Sequence, residues 1–147
     1  MGIQQLLEEI YTIVSEIMPE TANSLQTGLS RDAIKAIIEP LPFDLPEDFY
    51  KLYEWRNGSN TFEDNFFPYH TFLPLENSVN SYFELREGEF AKWINWPPNW
   101  FPFLKFDAKL YLFLDVERNT IREYFAELGT KSTRLMFDNL RDMLSYY

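Results

Sequence analysis

The sequence predicts an α+β domain, and three observations lead to that prediction. Apolar residues with helical spacing open the chain over residues 3–17. A continuous apolar run at Leu110–Leu114, followed by an alternating segment at Thr120–Ala126, indicates a β-hairpin in the second half. From Thr133 to Tyr146 the apolar residues return to helical spacing. Helices, then a meander of strands, then a closing helix are the order expected of an α+β fold.

The first elements of the chain are helical. An amphipathic helix is expected over Ile3–Ile17, stopped by Pro19. Glu20–Gly28 has no periodic pattern and is expected to be a loop. Ser30 can cap a second helix over Arg31–Glu39, because its hydroxyl can accept a hydrogen bond from a free backbone amide of the first turn.

The stretch from Leu45 to Gly58 carries the signals of a third, short helix. Pro46 suits the first helical position, where no backbone donor is needed. Asn57-Gly58 tolerates positive φ and is expected to end the helix. The packing face would consist of Phe49, Leu52 and Tyr53.

The middle of the chain is rich in turns and aromatic residues. Phe66-Phe67 and Tyr69–Leu73 are expected to form short strands or bends, and Leu75–Glu87 a helix. Pro97-Pro98 excludes a regular helix across the aromatic segment that follows. A strand is then expected at Phe101–Phe106, before the hairpin.

Charge and composition restrict the classes of function. The net charge is −10, and the first 90 residues carry all of the excess acid. Such a field repels nucleic-acid phosphates and anionic lipids and attracts basic partners, although it also serves solubility alone. The absence of cysteine excludes disulfides and thiolate chemistry and is typical of a cytoplasmic protein. The sequence has no signal-peptide pattern and no apolar run of membrane-spanning length.

The sequence contains no recognisable catalytic, cofactor-binding or metal-binding pattern. His70 is the only histidine, and a metal or acid–base site would have to recruit carboxylates such as Glu63 and Asp64. There is no Gly-rich phosphate loop and no nucleophile elbow. We therefore expect a protein that is not an enzyme and holds no cofactor or metal.

The best candidate for function is an acidic and aromatic surface that binds a partner. Aromatic anchors ringed by acids suit a basic protein partner. The alternative is that the tryptophans close the core, which we expect for at least two of the three, given the area that a tryptophan buries. The candidate partner-binding residues are Glu63, Asp64, Tyr69, His70, Trp93, Trp96 and Trp100.

The Leu45–Tyr53 sequence, followed by Asn57-Gly58, resembles the signature of the SMI1/KNR4 family of the SUKH superfamily. Further segments follow in the family order from about residue 30 to the end, and the match depends on that order. One departure lies at Asp107-Ala108-Lys109, where members often have a Gly-rich turn. Any ligand contact that members make through that turn is not expected here. The other matching segments are Pro68–Glu76, Trp100–Phe103, Leu110–Asp115, Thr120–Tyr124 and the Phe137/Leu140/Leu144 helix.

The resemblance implies one domain over residues 1–147, with a central, mostly antiparallel sheet, helices around it, and an N-terminal helix and loop at residues 1–29. It also implies an immunity protein that binds and neutralises a cognate, basic bacterial toxin in the cytoplasm. A regulatory scaffold in a cellular pathway is the alternative, and an enzyme with an unrecognised site is a third. Nucleic acid and membrane are not expected as partners, and the oligomeric state is left open.

Overall fold

The structure, a computed structural model, describes residues 2–61, 65–107 and 110–146. It confirms the α+β class. The helices of this part of the chain surround two antiparallel sheets, and a short 3₁₀ helix spans Thr130–Ser132. The α-helices are α1 (Ile3–Ile17), α2 (Pro19–Asn23), α3 (Arg31–Ile38), α4 (Glu47–Trp55), α5 (Leu75–Glu87), α6 (Ala91–Ile94) and α7 (Leu140–Tyr146).

The larger sheet is a five-stranded meander in which every neighbouring pair is antiparallel. Its strands follow the chain order, and the connection from β3 to β4 contains α5 and α6. A separate two-stranded sheet pairs β1 with β2. The strands are β1 (Leu25–Thr27), β2 (Arg56–Ser59), β3 (Thr71–Phe72), β4 (Trp100–Phe106), β5 (Leu110–Asp115), β6 (Thr120–Phe125) and β7 (Arg134–Phe137).

The middle strand, β5, is buried on both faces, as its apolar run predicts. Leu112 and Leu114 point to one face and Phe113 to the other, and all three side chains are fully buried. The predicted packing of α4 on this sheet is also confirmed. Phe49 meets Phe103 edge to face at a centroid distance of 4.9 Å, and Tyr53 lies 5.5 Å from Phe72.

The N-terminal helix belongs to the same hydrophobic core as the rest of the chain. Ile3, Leu7 and Val14 are buried in the cluster that also contains Leu144 near the other end. Trp55 Nε1 donates a hydrogen bond of 2.6 Å to a Glu8 carboxylate oxygen and fixes the helix against α4. Burial of several aliphatic side chains at about 1.5–3 kcal/mol each holds α1 firmly in place.

Three predicted element assignments are wrong, and the first two lie near the ends of the chain. Glu20–Gly28 is not a loop throughout, since Pro19 starts α2 and β1 follows it. Pro19 suits a helix start, and β1 depends on pairing with the distant β2, which local periodicity does not show. The segment from Thr133 to Tyr146 is not one helix, because Arg134–Phe137 pairs with the edge of β6. Asn139 Oδ1 then accepts from the amide of Asp142 at 2.8 Å, near the start of α7.

Asn57-Gly58 is not a helix stop. The fourth helix ends at Trp55, and both residues lie in β2. Asn57 Oδ1 accepts from the amide of Leu75 at 2.8 Å and so caps α5, whose preceding Pro74 has no capping side chain. Gly58 has φ +66°, and a Cβ there would lie 2.3 Å from the nitrogen of Pro74. Asn57 and Gly58 therefore hold β2 in close contact with the start of α5.

Candidate binding surface

The partner-binding residues predicted from the sequence do not form one patch. Tyr69 and Trp93 are 76% and 67% exposed, whereas Trp96 is only 2% exposed. Tyr69 and His70 line one groove, and Trp93 lines another. Glu63 and Asp64 lie outside the described residues.

Trp96 is buried in the interior, and the partly buried Trp100 packs against the core beside it. Trp100 stacks on Phe113 with a centroid distance of 4.3 Å, and Trp96 packs edge to face on Tyr124 at 5.1 Å. The indole Nε1 of Trp96 donates to the backbone carbonyl of Trp100 at 2.8 Å. Assigning Trp96 to the partner surface is therefore wrong, because the side chain is buried. The core role that we expect for at least two tryptophans applies to this pair.

A groove of about 540 Å³ lies at the end of the larger sheet where β4 stops and β5 starts, and we call it the histidine groove. Strands β4, β5, β6 and β7, the end of α7 and the turn before β3 all contribute to it. Its size falls within the range of ordinary ligand and peptide pockets. The lining is chiefly apolar and includes Tyr69, His70, Phe106, Glu123, Phe137 and Tyr146.

His70 is positioned by a tight turn. Tyr69 has φ +66°, and Phe67 pairs with His70 across the turn. The Pro68 carbonyl can only accept, so His70 Nδ1 carries the proton and donates at 2.9 Å. Burial lowers the pKa of His70, against the opposing effects of this hydrogen bond and of the negative charge of Glu123. The ring is therefore neutral at neutral pH.

The carboxylate in this groove also has a structural partner. Glu123 accepts from Arg134 Nη2 at 3.2 Å across β6 and β7. A neutral histidine bonded to a carbonyl and a carboxylate bonded to a guanidinium do not form a nucleophile–base pair. The groove can supply aromatic and apolar contacts with few hydrogen-bonding groups, which suits binding.

The second groove, of about 370 Å³, lies beside α6 and is called here the tryptophan groove. Phe90 and Trp93 face each other at 5.9 Å, and Lys92 Nζ lies 4.4 Å from the Trp93 ring centroid. The buried side chain of Tyr124 contributes to its floor. Burial raises the pKa of Tyr124, so its hydroxyl stays protonated at neutral pH.

Sequence reasoning missed a third groove, of about 250 Å³, along the second half of α1. Because all apolar residues of α1 share helical spacing, the pattern alone places Ile13 and Ile17 on the packing face. The structure leaves them 51% and 70% exposed. At about 100° per residue, Ile13 lies at the edge of the apolar arc of α1, whereas Ile17 lies near the centre of the arc and is exposed at the last residue of the helix. This α1 groove is lined by Ile10, Ile13, Val14, Ile17, Met18 and Phe66, with Asn65 and Pro68 at its edge.

The polar cluster around Arg31 is structural. Arg31 donates to Glu47 at 2.5 Å and to Glu54 at 3.0 Å and joins α3 to α4. These hydrogen bonds raise the pKa of Arg31, and the one to Glu47 lowers the pKa of that carboxyl. Burial and a hydrogen bond to Asp44 raise the pKa of Tyr50 to about 12. Because the ion pairs are exposed, we expect them to contribute little to stability.

Comparison with known families identifies the fold. The model of the SMI1 / KNR4 family (SUKH-1) matches residues 28–146. The chain belongs to the SMI1/KNR4 family. This family is known for immunity proteins and is generally non-enzymatic. A comparison with curated proteins gave no significant match. The match confirms the resemblance of the Leu45–Gly58 stretch, and it begins after α1 and α2.

The described residues include neither a metal-binding cluster nor a membrane-spanning helix. Within residues 2–61, 65–107 and 110–146, no three His, Cys, Asp or Glu side chains are grouped to hold a metal ion. No helix in these ranges has both the length and the apolar character needed to cross a bilayer. At the departure from the family pattern, Asp107 adopts φ +57°, a conformation often given to glycine, and residues 108 and 109 lie outside the described part.

Proposed function

We propose that this SMI1/KNR4 chain is a non-enzymatic immunity protein that binds a cognate toxin domain and blocks it. The observation that carries the proposal is the family match over residues 28–146. The whole of residues 1–147 would act as one domain, because α1 is packed into the same core. We place the protein in the cytoplasm, where a chain without cysteine needs no oxidising compartment.

The surface chemistry supports a protein partner. Three grooves display aromatic or aliphatic side chains, and Tyr69, Trp93 and Ile17 are exposed large apolar residues of the kind that anchor interfaces. A net charge of −10 favours a basic partner and speeds its diffusional encounter. A nuclease toxin domain has the required basic surface, since it must bind phosphate backbones.

The test is co-expression with toxin domains encoded beside the gene. We expect one of them to arrest growth alone and to be neutralised when this chain is present. The two proteins should then co-purify, and their affinity should fall as salt rises. No protection and no complex with any neighbouring toxin would contradict the proposal. A set of several weak partners without a toxin would favour the regulatory-scaffold alternative.

A further inference from the structure

The α1 groove has an apolar floor and an acidic border. Ile13 and Ile17 stand exposed beside the buried Ile10 and Val14, so apolar surface continues from the core to the solvent. Glu9 and Glu16 are exposed and lie four residues before and three residues after Ile13. That spacing places both carboxylates next to Ile13 on its outer side. The groove is therefore an apolar cleft with negative charge along one edge.

No positive charge offsets this edge on the helix itself. Residues 1–20 contain four glutamates and neither lysine nor arginine. Arg56 lies 5.3 Å from the Tyr11 ring centroid and donates to the Trp55 carbonyl. Tyr11 points about 160° away from Ile13 around the helix, so Arg56 is on the other side.

The size of the groove favours side chains over a small molecule. Its volume of about 250 Å³ is below the usual range for small-molecule pockets of about 300–1,000 Å³. From Ile10 to Met18 the groove follows α1 for about 12 Å, which equals about two turns of a partner helix. A helix laid in such a groove inserts apolar residues from one face.

We propose that the α1 groove is the docking site for a basic amphipathic helix of a protein partner. Its apolar side chains would enter between α1 and the Phe66–Pro68 segment, and its lysines or arginines would face Glu9 and Glu16. This inference rests on the proposed binding function and assigns it a face. The α1 wall of the groove lies outside the family match, and the Phe66–Pro68 wall lies within it.

Charge also decides against a second copy of the same chain. A two-fold symmetric contact would place each acidic edge against the same patch of its partner. Glu9 and Glu16 would then meet like charges, which is unfavourable by about the amount that an opposite pair gains. A basic partner removes this cost and gains from each carboxylate.

The probe for this site is a labelled helical peptide of about 14 leucine and lysine residues with the leucines on one face. The full-length chain would be titrated with it by fluorescence anisotropy at low and high salt. The same peptide with glutamate in place of lysine is the charge control. We expect the basic peptide to bind and to weaken as salt rises, and the acidic peptide to bind at least about tenfold more weakly.

Matched variants locate the binding. Ile13→Ser with Ile17→Ser removes the exposed apolar edge, and Leu128→Ser with Leu135→Ser removes a comparable pair of exposed side chains that line none of the three grooves. Since these side chains are exposed, both variants should keep the fold, as circular dichroism would verify. We expect the first pair to weaken peptide binding at least about tenfold and the second to change it less than about twofold. Equal losses in both pairs would overturn the proposal.

A second set of variants tests the charge without touching the apolar floor. Glu9→Gln with Glu16→Gln should weaken the basic peptide and flatten its salt dependence, whereas Glu87→Gln with Glu89→Gln should do neither. Equal effects of the two pairs would overturn the proposal. So would a wild-type dimer that becomes monomeric on Ile13→Ser and Ile17→Ser, because a second copy would then fill the groove.

The proposal can fail while the proposed function stands. If toxin neutralisation is observed and survives Ile13→Ser with Ile17→Ser, the partner docks elsewhere and the groove assignment is wrong. If the basic peptide binds as expected but no neighbouring toxin is neutralised, the immunity function is wrong and the docking site is retained.

Discussion

The family signature and the exposed grooves differ in almost every physical respect. From Leu45 to Ser59 the chain forms α4 and β2, with Phe49, Leu52 and Tyr53 fully buried. The surface around Ile17 and Tyr69 instead leaves large apolar side chains in water. In the first region the side chains pack and form hydrogen bonds within the molecule. In the second region large apolar side chains remain exposed, and a partner could bury them.

The difference indicates that the family signature stabilises the fold and that the exposed grooves are the places where a partner can bind. The signature is recognisable because several of its residues have specific structural roles, and Asn57-Gly58 is the clearest example. The asparagine caps α5 and the glycine allows a close backbone contact. Neither residue reaches a groove. We therefore expect changes in the signature to affect stability and changes in the grooves to affect binding.

The largest expected effect is in the core that both regions share. Leu112→Asp would bury an unpaired charge in the middle of β5, because the side chain at this position is fully buried and the carboxylate could not reach solvent. We expect a loss of about 4 kcal/mol or more in the free energy of unfolding, with little soluble protein. Urea denaturation of any soluble fraction measures it. A variant that melts like the wild type would show that β5 is not central.

A pair of glycine substitutions separates close packing from backbone strain. Gly58→Ala would place a Cβ against the backbone of Pro74 at positive φ, and Gly129→Ala has a similar φ with nothing within 4 Å. We expect a loss of about 2–4 kcal/mol for the first in urea denaturation. Gly129 also has ψ 177°, a region that essentially only glycine adopts, so the second should lose about 1–3 kcal/mol from backbone strain alone. A loss below about 1 kcal/mol in Gly58→Ala would mean that the contact with Pro74 contributes nothing.

Removal of the Asn57 side chain should have a smaller effect on the free energy of unfolding. Asn57→Ala removes the cap of α5 and leaves the amide of Leu75 without this partner, so we expect a loss of about 1–2 kcal/mol. Amide hydrogen exchange should show faster opening at the first turn of α5 than in the wild type. Unchanged protection at Leu75 would contradict the capping role.

The smallest expected effect concerns His70 in the histidine groove. Its folded pKa lies below the ordinary value of 6.5, so the unfolded chain binds more protons once the pH falls through that value. Stability is therefore fully present above about pH 6.5 and declines as the pH falls towards the folded pKa. His70 is the only histidine, so His70→Gln is a clean comparison.

Between pH 7 and pH 5 we expect the wild type to lose more unfolding free energy than His70→Gln, because glutamine does not titrate. Urea denaturation at both pH values measures the difference. Carboxylates titrate equally in both proteins and cancel. A larger loss in His70→Gln would show that the groove stabilises the charged ring instead.

Local patterns predicted the elements that depend on local spacing. The bounds of α1 and α5 follow from apolar periodicity, and Ser30 caps α3 by accepting from the amide of Ala33 at 3.1 Å. The hairpin of β5 and β6 follows from its apolar run and alternation. The pairing of β1 with the distant β2 could not be predicted this way. Strand β7 was missed because its residues Met136 and Phe137 also fit the helical spacing of the last segment.

The binding surface was less predictable for a related reason. An aromatic residue looks the same in the sequence whether it is an anchor or part of the core, and only packing separates Trp93 from Trp96. The regular apolar periodicity of α1 suggests that every isoleucine is buried, so the sequence does not reveal that Ile13 and Ile17 are exposed. Whether the last turn of an apolar stripe is covered depends on how far the neighbouring elements extend along the helix, which local spacing does not show.

The contrast between signature and grooves is tested most directly by measuring stability and binding in the same two variants. Asn57→Ala and Ile17→Ser would each be assayed by urea denaturation and by calorimetric titration with the toxin domain that co-expression identifies. We expect Asn57→Ala to lose about 1–2 kcal/mol of stability with unchanged affinity, and Ile17→Ser to keep its stability but bind at least about tenfold more weakly. Weaker binding by folded Asn57→Ala, with full affinity in Ile17→Ser, would contradict the division.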